Sequence, residues 1–223
     1  MLLGSLDQLP FRLLALLVGI TIHEFSHAAA ASALGDKTAR QSGRLTLNPI
    51  RHLDFTGTLL IILVGFGWGK PVPVDTTTLR RGRQGMAIVA GAGPISNILI
   101  AAVATIPLRL QAVKLPTSYS FTDVFQGGVS EFISVVIFFI VLFNILLAVF
   151  NLIPLFPLDG FSIALGLLPR NEARKFARME KYGPGILMIT IGVDVILGLG
   201  IIWGIMRPVI NYLTIVLLGQ GFF

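Results

Sequence analysis

The chain has no cysteine, and only 13% of its residues are charged. The first absence excludes disulfides and thiolate metal ligation. The second, roughly half the usual charged share, excludes disorder and argues against a soluble globular fold. Acidic groups are the scarcer sign, with 11 Asp and Glu against 17 Lys and Arg, a formal net charge of +6. No nucleic-acid-reading motif accompanies that excess. In so apolar a chain a basic surplus reports topology and anionic headgroups, so nucleic acid is not expected as a partner. No basic residue precedes Arg12 and no small-residue cleavage site follows it, so the N-terminus reads as mature chain and not as a signal peptide.

What is present is apolar sequence, 54% of the 223 residues. Several runs reach the ~20 residues that cross a bilayer as a helix. They predict an all-α integral membrane protein, a single membrane-embedded domain over 1–223 with four transmembrane helices and the lipid bilayer as its solvent. The first span is expected over 10–34, opened by Pro10 and closed by Gly35-Asp36. The second, 84–110, carries Gly91, Gly93, Pro94, Ser96 and Asn97, small and polar residues suited to close helix packing. The third, 131–153, breaks at Pro154 and Pro157, and the fourth is expected over 183–206, followed by an apolar tail, 208–223.

Between the first two spans, 38–74 is too polar or too broken to span. Ser42-Gly43 beside Leu45-Thr46-Leu47 predicts a short β-hairpin over 38–48. The apolar stretch 57–67 is too short to cross and predicts a re-entrant piece. Pro71 and Pro73 predict extended chain over 70–74, and the hairpin and this segment offer edges where an extended substrate could add as a strand.

Charge placement tests the span count. Lys37, Arg40, Arg44, Arg51, Lys70, Arg80, Arg81 and Arg83 lie between spans one and two. Arg170, Arg174, Lys175, Arg178 and Lys181 lie between spans three and four, whereas the intervening loop has only Arg109 and Lys114. Four spans put both basic loops on one side, the cytoplasmic side by the positive-inside rule; a spanning 57–67 would separate them.

The chemistry is concentrated in His23-Glu24-Phe25-Ser26-His27 on the first span. Histidines at i and i+4 share a helix face one turn apart and can share one Zn²⁺. Glu24 is placed to act as general base on a water. Ionisable residues inside a span are costly and mark a functional interior. A catalytic zinc takes three protein ligands, and the sequence offers Asp159, His52, Asp54, Asp123 and Asp194 for the third. Asp159 follows a span directly, in a proline-broken turn before Gly160. His52, in a loop near the same face, is its rival. A zinc or proton transporter would spread such groups over several depths, whereas here only Asp194 stands mid-span elsewhere. Entry of the first and third spans from the same side puts the site off the midplane, toward the cytoplasm.

The chain resembles the site-2 protease family of intramembrane zinc metalloproteases. Five ordered motifs carry the resemblance: His23-Glu24-Phe25-Ser26-His27, Asn48-Pro49-Ile50-Arg51-His52-Leu53-Asp54, Gly69-Lys70-Pro71-Val72-Pro73-Val74, Gly93-Pro94-Ile95-Ser96-Asn97, and Asn151-Leu152-Ile153-Pro154-Leu155-Phe156-Pro157-Leu158-Asp159-Gly160. The resemblance implies one catalytic Zn²⁺ held by His23, His27 and Asp159, with Glu24 as catalytic base. It implies that Asn97 lies near the site, against the substrate or the reacting carbonyl. It further implies regulated intramembrane proteolysis of single-span membrane proteins, in the plasma membrane. No PDZ or CBS segment is present in these residues, so the likeness is to the minimal core of the family. Nothing in the sequence sets an oligomeric state.

Overall fold

In a computed structural model of the chain, residues 6–55, 57, 58 and 69–219 are described. Four helices are long and apolar enough to cross a membrane: α1 (Leu9–Ala33), α3 (Gly82–Arg109), α5 (Gly128–Asn151) and α9 (Ile201–Leu218). Shorter helices lie between them: α2 (Thr38–Gln41), α4 (Phe121–Gln126), α6 (Asp159–Leu167), α7 (Arg170–Ala177) and α8 (Gly183–Leu197). The protein is an integral, multi-pass membrane protein, helical throughout its named elements.

The helix ends fix the relative directions. Phe11, at the start of α1, packs with Phe132 in the first turns of α5, and Gly19, further along α1, lies against Asn144 and Leu147 further along α5. These two helices therefore run parallel. At the other end of α1, the Arg80 N–H donates to the Leu34 carbonyl at 2.9 Å, just before α3 begins. So α3 returns antiparallel. Its last residue, Arg109, donates from Nε to the Leu217 carbonyl at 2.7 Å and from Nη2 to the Val216 carbonyl. A cation thus satisfies the free carbonyls at the C-terminus of α9 and aligns α9 with α3. Val141, Ile145 and Val149 of α5 meet Met206 and Ile210 of α9 in a buried cluster.

The fourth membrane-crossing helix differs from the expected 183–206. That stretch is interrupted: α8 stops at Leu197, Gly198 and Gly200 adopt φ of +62° and +67°, and α9 starts at Ile201. Only glycine takes such a φ without steric cost, so Gly-Leu-Gly ends one helix and opens another. Asp194 completes the break. Its carboxylate accepts from the Ile201 N–H at 2.6 Å and the Ile202 N–H at 3.3 Å, satisfying amides that have no partner within the helix. The expected tail is largely the body of α9.

The β-hairpin expected over 38–48 does not form. Thr38–Gln41 is a turn of helix, begun where Asp36 accepts from the Thr38 N–H at 2.9 Å and ended at Gly43, φ +68°. Leu45-Thr46-Leu47 is too short an alternation to pair against that helix. Among the described residues the only strand-like pairing is an isolated antiparallel bridge between Leu53 and Gly69. The re-entrant piece expected over 57–67 lies outside the described residues beyond 58. Asp36 ties this region together, since its other oxygen accepts from the Asp75 N–H at 2.9 Å. Burial pushes the Asp36 carboxyl up, but the donors from Thr38 and Asp75 outweigh it and hold the group below its ordinary value.

Candidate metal centre

The site is built where α1, α3 and α6 meet. His23 and His27 lie on the buried face of α1, 6% and 8% exposed. Asp159 is the first residue of α6, delivered there by the turn that follows α5. Its Oδ2 is 3.1 Å from His23 Nε2 and its Oδ1 is 3.3 Å from His27 Nε2. One donor atom from each of the three residues falls within a 4.8 Å cluster.

The far nitrogens of both rings are engaged. His27 Nδ1 lies 2.8 Å from the Val89 carbonyl oxygen, and His23 Nδ1 lies 2.6 Å from Asn97 Oδ1. A carbonyl only accepts, so the His27 proton sits on Nδ1 and Nε2 presents its lone pair. This is how metal-ligating histidines are commonly oriented. The set of two imidazole nitrogens and one carboxylate fits Zn²⁺ and leaves a fourth position free, as a catalytic site requires.

Gly93 supplies the space. A Cβ placed there would lie 2.5 Å from His27 Cε1 and 2.6 Å from both His23 Cε1 and His27 Nε2. The cradle in front of the two rings exists because this position of α3 has no side chain. Asn97, one turn on, is fully buried and engages His23 by its side chain. That contact puts it behind the ring, on the side away from Nε2.

Glu24 is half-buried, and its carboxylate is not one of the three clustered donors. Its Oε1 lies 3.2 Å from where a Cβ on Gly69 would stand. The carboxylate is thus flanked by the Leu53–Gly69 bridge. Arg44, 6% exposed and absent from the expected site, pins that flank. Its guanidinium donates to the carbonyls of Arg51, Lys70 and Pro71. The Lys70 N–H is taken as well, donating to the His52 carbonyl at 2.7 Å. Lys70 and Pro71 therefore offer no free backbone edge to an added strand, which limits the docking expected over 70–74.

The other candidate third ligands stand apart from the cluster. His52 is fully buried, and its Nε2 lies 2.7 Å from the Thr46 carbonyl, so the ring braces the loop. Asp54 accepts from the Gly57 N–H at 2.8 Å, Asp123 accepts from the Ser118 hydroxyl at 2.9 Å, and Asp194 caps α9. Asn144 of α5, unremarked in the sequence, is fully buried and accepts from Asn97 Nδ2 at 2.8 Å.

The model of peptidase family M50 matches residues 11–191. "Putative zinc metalloprotease YwhC" of Bacillus subtilis (strain 168) is 39% identical over 178 residues, covering 80% of this chain and 78% of the relative. "Putative zinc metalloprotease Rip2" of Mycolicibacterium smegmatis is 27% identical over 184 residues, covering 78% of this chain and 64% of that longer relative. No solved structure matches the chain.

Proposed function

Since the chain belongs to peptidase family M50 and is a zinc-dependent membrane protease, we propose that His23, His27 and Asp159 hold its zinc, that Glu24 is the general base, and that its substrates are single-span membrane proteins cut within or beside their spans. One observation carries the reading: two helix-borne Nε2 atoms and one carboxylate from a different helix converge in a cradle that a single methyl group would fill.

When bound, zinc polarises the scissile carbonyl and makes water a nucleophile near neutral pH. The remaining work belongs to the chain. Glu24 takes one proton from the attacking water, holds it on its carboxylate, and returns it to the amide nitrogen as the C–N bond breaks. The second proton of the water passes from the new carboxyl group to the amine, and the carboxylate and ammonium then separate. A substrate span hides its amides in i→i−4 bonds and must unwind before it can be cut. That need favours a site near one membrane face, reached by water. The basic loops support a cytoplasmic orientation of that face in the plasma membrane.

The purified protein in vesicles with a labelled single-span protein tests this. The expected result is fragments with new termini in or next to the span, lost on chelation and restored by zinc. A zinc-loaded protein that cuts no membrane protein overturns the reading. A companion measurement separates the third-ligand choices: Asp159→Ala should lower zinc affinity by about 10²-fold or more, whereas His52→Ala should retain a full equivalent of metal. The reverse pattern moves the ligand to His52.

A further inference from the structure

We propose that Asn144, in the middle of α5, is a positioning residue for the metal centre: with the Gly19 carbonyl it fixes the orientation of the Asn97 amide and, through it, the nitrogen that His23 turns toward the metal. The inference rests on His23 being a zinc ligand.

The starting point is an oddity of placement. Helix α5 is the most apolar of the four membrane-crossing helices, yet it carries Asn144, which like Asn97 is 0% exposed within the bundle. Two buried amides are costly there unless their bonds are complete, and such residues mark function. Asn144 Nδ2 donates to the Ile140 carbonyl at 2.8 Å. That oxygen can only accept, so the NH₂ group must face Ile140 and Oδ1 must face α3. On α3, Asn97 Nδ2 meets two acceptors, Asn144 Oδ1 at 2.8 Å and the Gly19 carbonyl at 3.1 Å. Its NH₂ group is therefore committed to that side, and Asn97 Oδ1 is left to face His23 Nδ1 at 2.6 Å.

An amide oxygen accepts, so the imidazole proton must be on Nδ1. The lone pair then sits on Nε2, the atom 3.1 Å from Asp159 Oδ2. The relay begins on backbone carbonyls and cannot run backwards, so Asn144 and the Gly19 carbonyl together hold Asn97 Oδ1 toward His23 Nδ1. His27 needs no relay, because the Val89 carbonyl orients it directly. The path also locks three helices at one level. A side chain at Gly19 would press on it, since a Cβ there would lie 2.6 Å from Leu147 Cδ1 and 3.3 Å from Asn144 Oδ1.

The full-length protein in detergent, titrated with zinc against a competing chelator, tests the relay. Loss of an outer partner typically weakens a metal site by ~10–100-fold, and Asn97→Leu is expected within that range. Asn144→Leu, one bond further out, should weaken zinc by about tenfold. Because both act through one path, Asn97→Leu/Asn144→Leu should be no weaker than Asn97→Leu alone, within about twofold. Asn144→Ser serves if the leucine variant does not fold. Its hydroxyl can bond the i−4 carbonyl, as Ser134 does to Ser130 at 2.8 Å, but is too short to reach Asn97. Asn144→Asp, in its acid form, donates to Ile140 and accepts from Asn97, and should bind zinc more tightly than Asn144→Ser. In zinc-loaded protein the ¹⁵N shift of His23 Nδ1 should report a hydrogen-bonded N–H in the wild type and a weaker bond in Asn144→Ser, where the Asn97 amide keeps only the Gly19 carbonyl. Unchanged zinc affinity in the folded Asn144 variants, multiplying effects in the double variant, or an unchanged His23 Nδ1 signal in Asn144→Ser each overturns the proposal. His23→Ala separates the layers. If it binds zinc as the wild type does, both the ligand reading and the relay fall; if it loses zinc while the Asn144 variants do not, the relay alone falls.

Discussion

Glu24→Gln is expected to keep its zinc and to lose cleavage by about 10²–10⁴-fold, the usual worth of a positioned general base. The amide has the same shape as the carboxylate but cannot take a proton from water. Zinc should stay because Glu24 is not one of the three clustered donors, which are His23, His27 and Asp159. One residue along α1 turns a side chain by roughly 100°, and that turn carries Glu24 from the face shared by the histidines toward Gly69. There its Oε1 stands 3.2 Å from the place of an absent Cβ, beside backbone and not among the ligands. Metal analysis together with fragment release from a single-span substrate measures both halves. Cleavage near the wild-type rate would remove Glu24 from the reaction. Loss of zinc would make it a ligand.

How much of this could be read from the sequence depends on range. His23, Glu24 and His27 are legible because a helix places i and i+4 on one face, so the chemistry is local. The turn holding Asp159 is legible too, through its two prolines, but its approach to α1 depends on how α5 packs, and spacing alone left four rivals. Those rivals are occupied in local work: His52 and Asp54 in loop bonds, Asp123 with Ser118, Asp194 at a helix start. Asn144 was not legible. A single asparagine in an apolar span has no periodic signal, and its value comes from Asn97, 47 residues away. The break at Gly198 and Gly200 was missed because hydropathy is blind to backbone φ. It becomes visible only with the Asp194 carboxylate reaching the amides of Ile201 and Ile202. The hairpin failed for the opposite reason: a three-residue alternation was outweighed by a helical turn that Asp36 begins.

Gly93→Ala should separate the metal site from the fold, because its two consequences have opposite signs. In the interior of a helix alanine is favoured over glycine by about 0.8–1.0 kcal/mol, so α3 itself gains stability. The new methyl, however, would stand 2.5–2.6 Å from His27 Cε1, His23 Cε1 and His27 Nε2. Carbon contacts are comfortable at about 3.5–4.0 Å, so rings or helix must yield by roughly 1 Å. The rings have little freedom to do so. His27 is held by the Val89 carbonyl on α3, the same helix that would carry the methyl, and His23 is held by Asn97, also on α3. Moving α3 away therefore pulls on both rings, while moving the rings breaks their orienting bonds. A displacement of that size at a reacting centre costs about 10²-fold in rate. Overpacking of about 1–3 kcal/mol offsets the helix gain, so the expected protein folds with a melting temperature no higher than the wild type's, holds well under one equivalent of zinc, and cuts at about a hundredth of the wild-type rate. Gly91→Ala is the matched control, since the nearest atom to its Cβ is Ile95 Cδ1 at 3.9 Å, an ordinary contact. It should share the gain in helix stability and keep both zinc and cleavage. Thermal unfolding, metal content and fragment release on the two variants decide the matter, and a Gly93→Ala protein with full zinc and full activity would mean that the metal does not sit in the cradle formed by His23, His27 and Asp159.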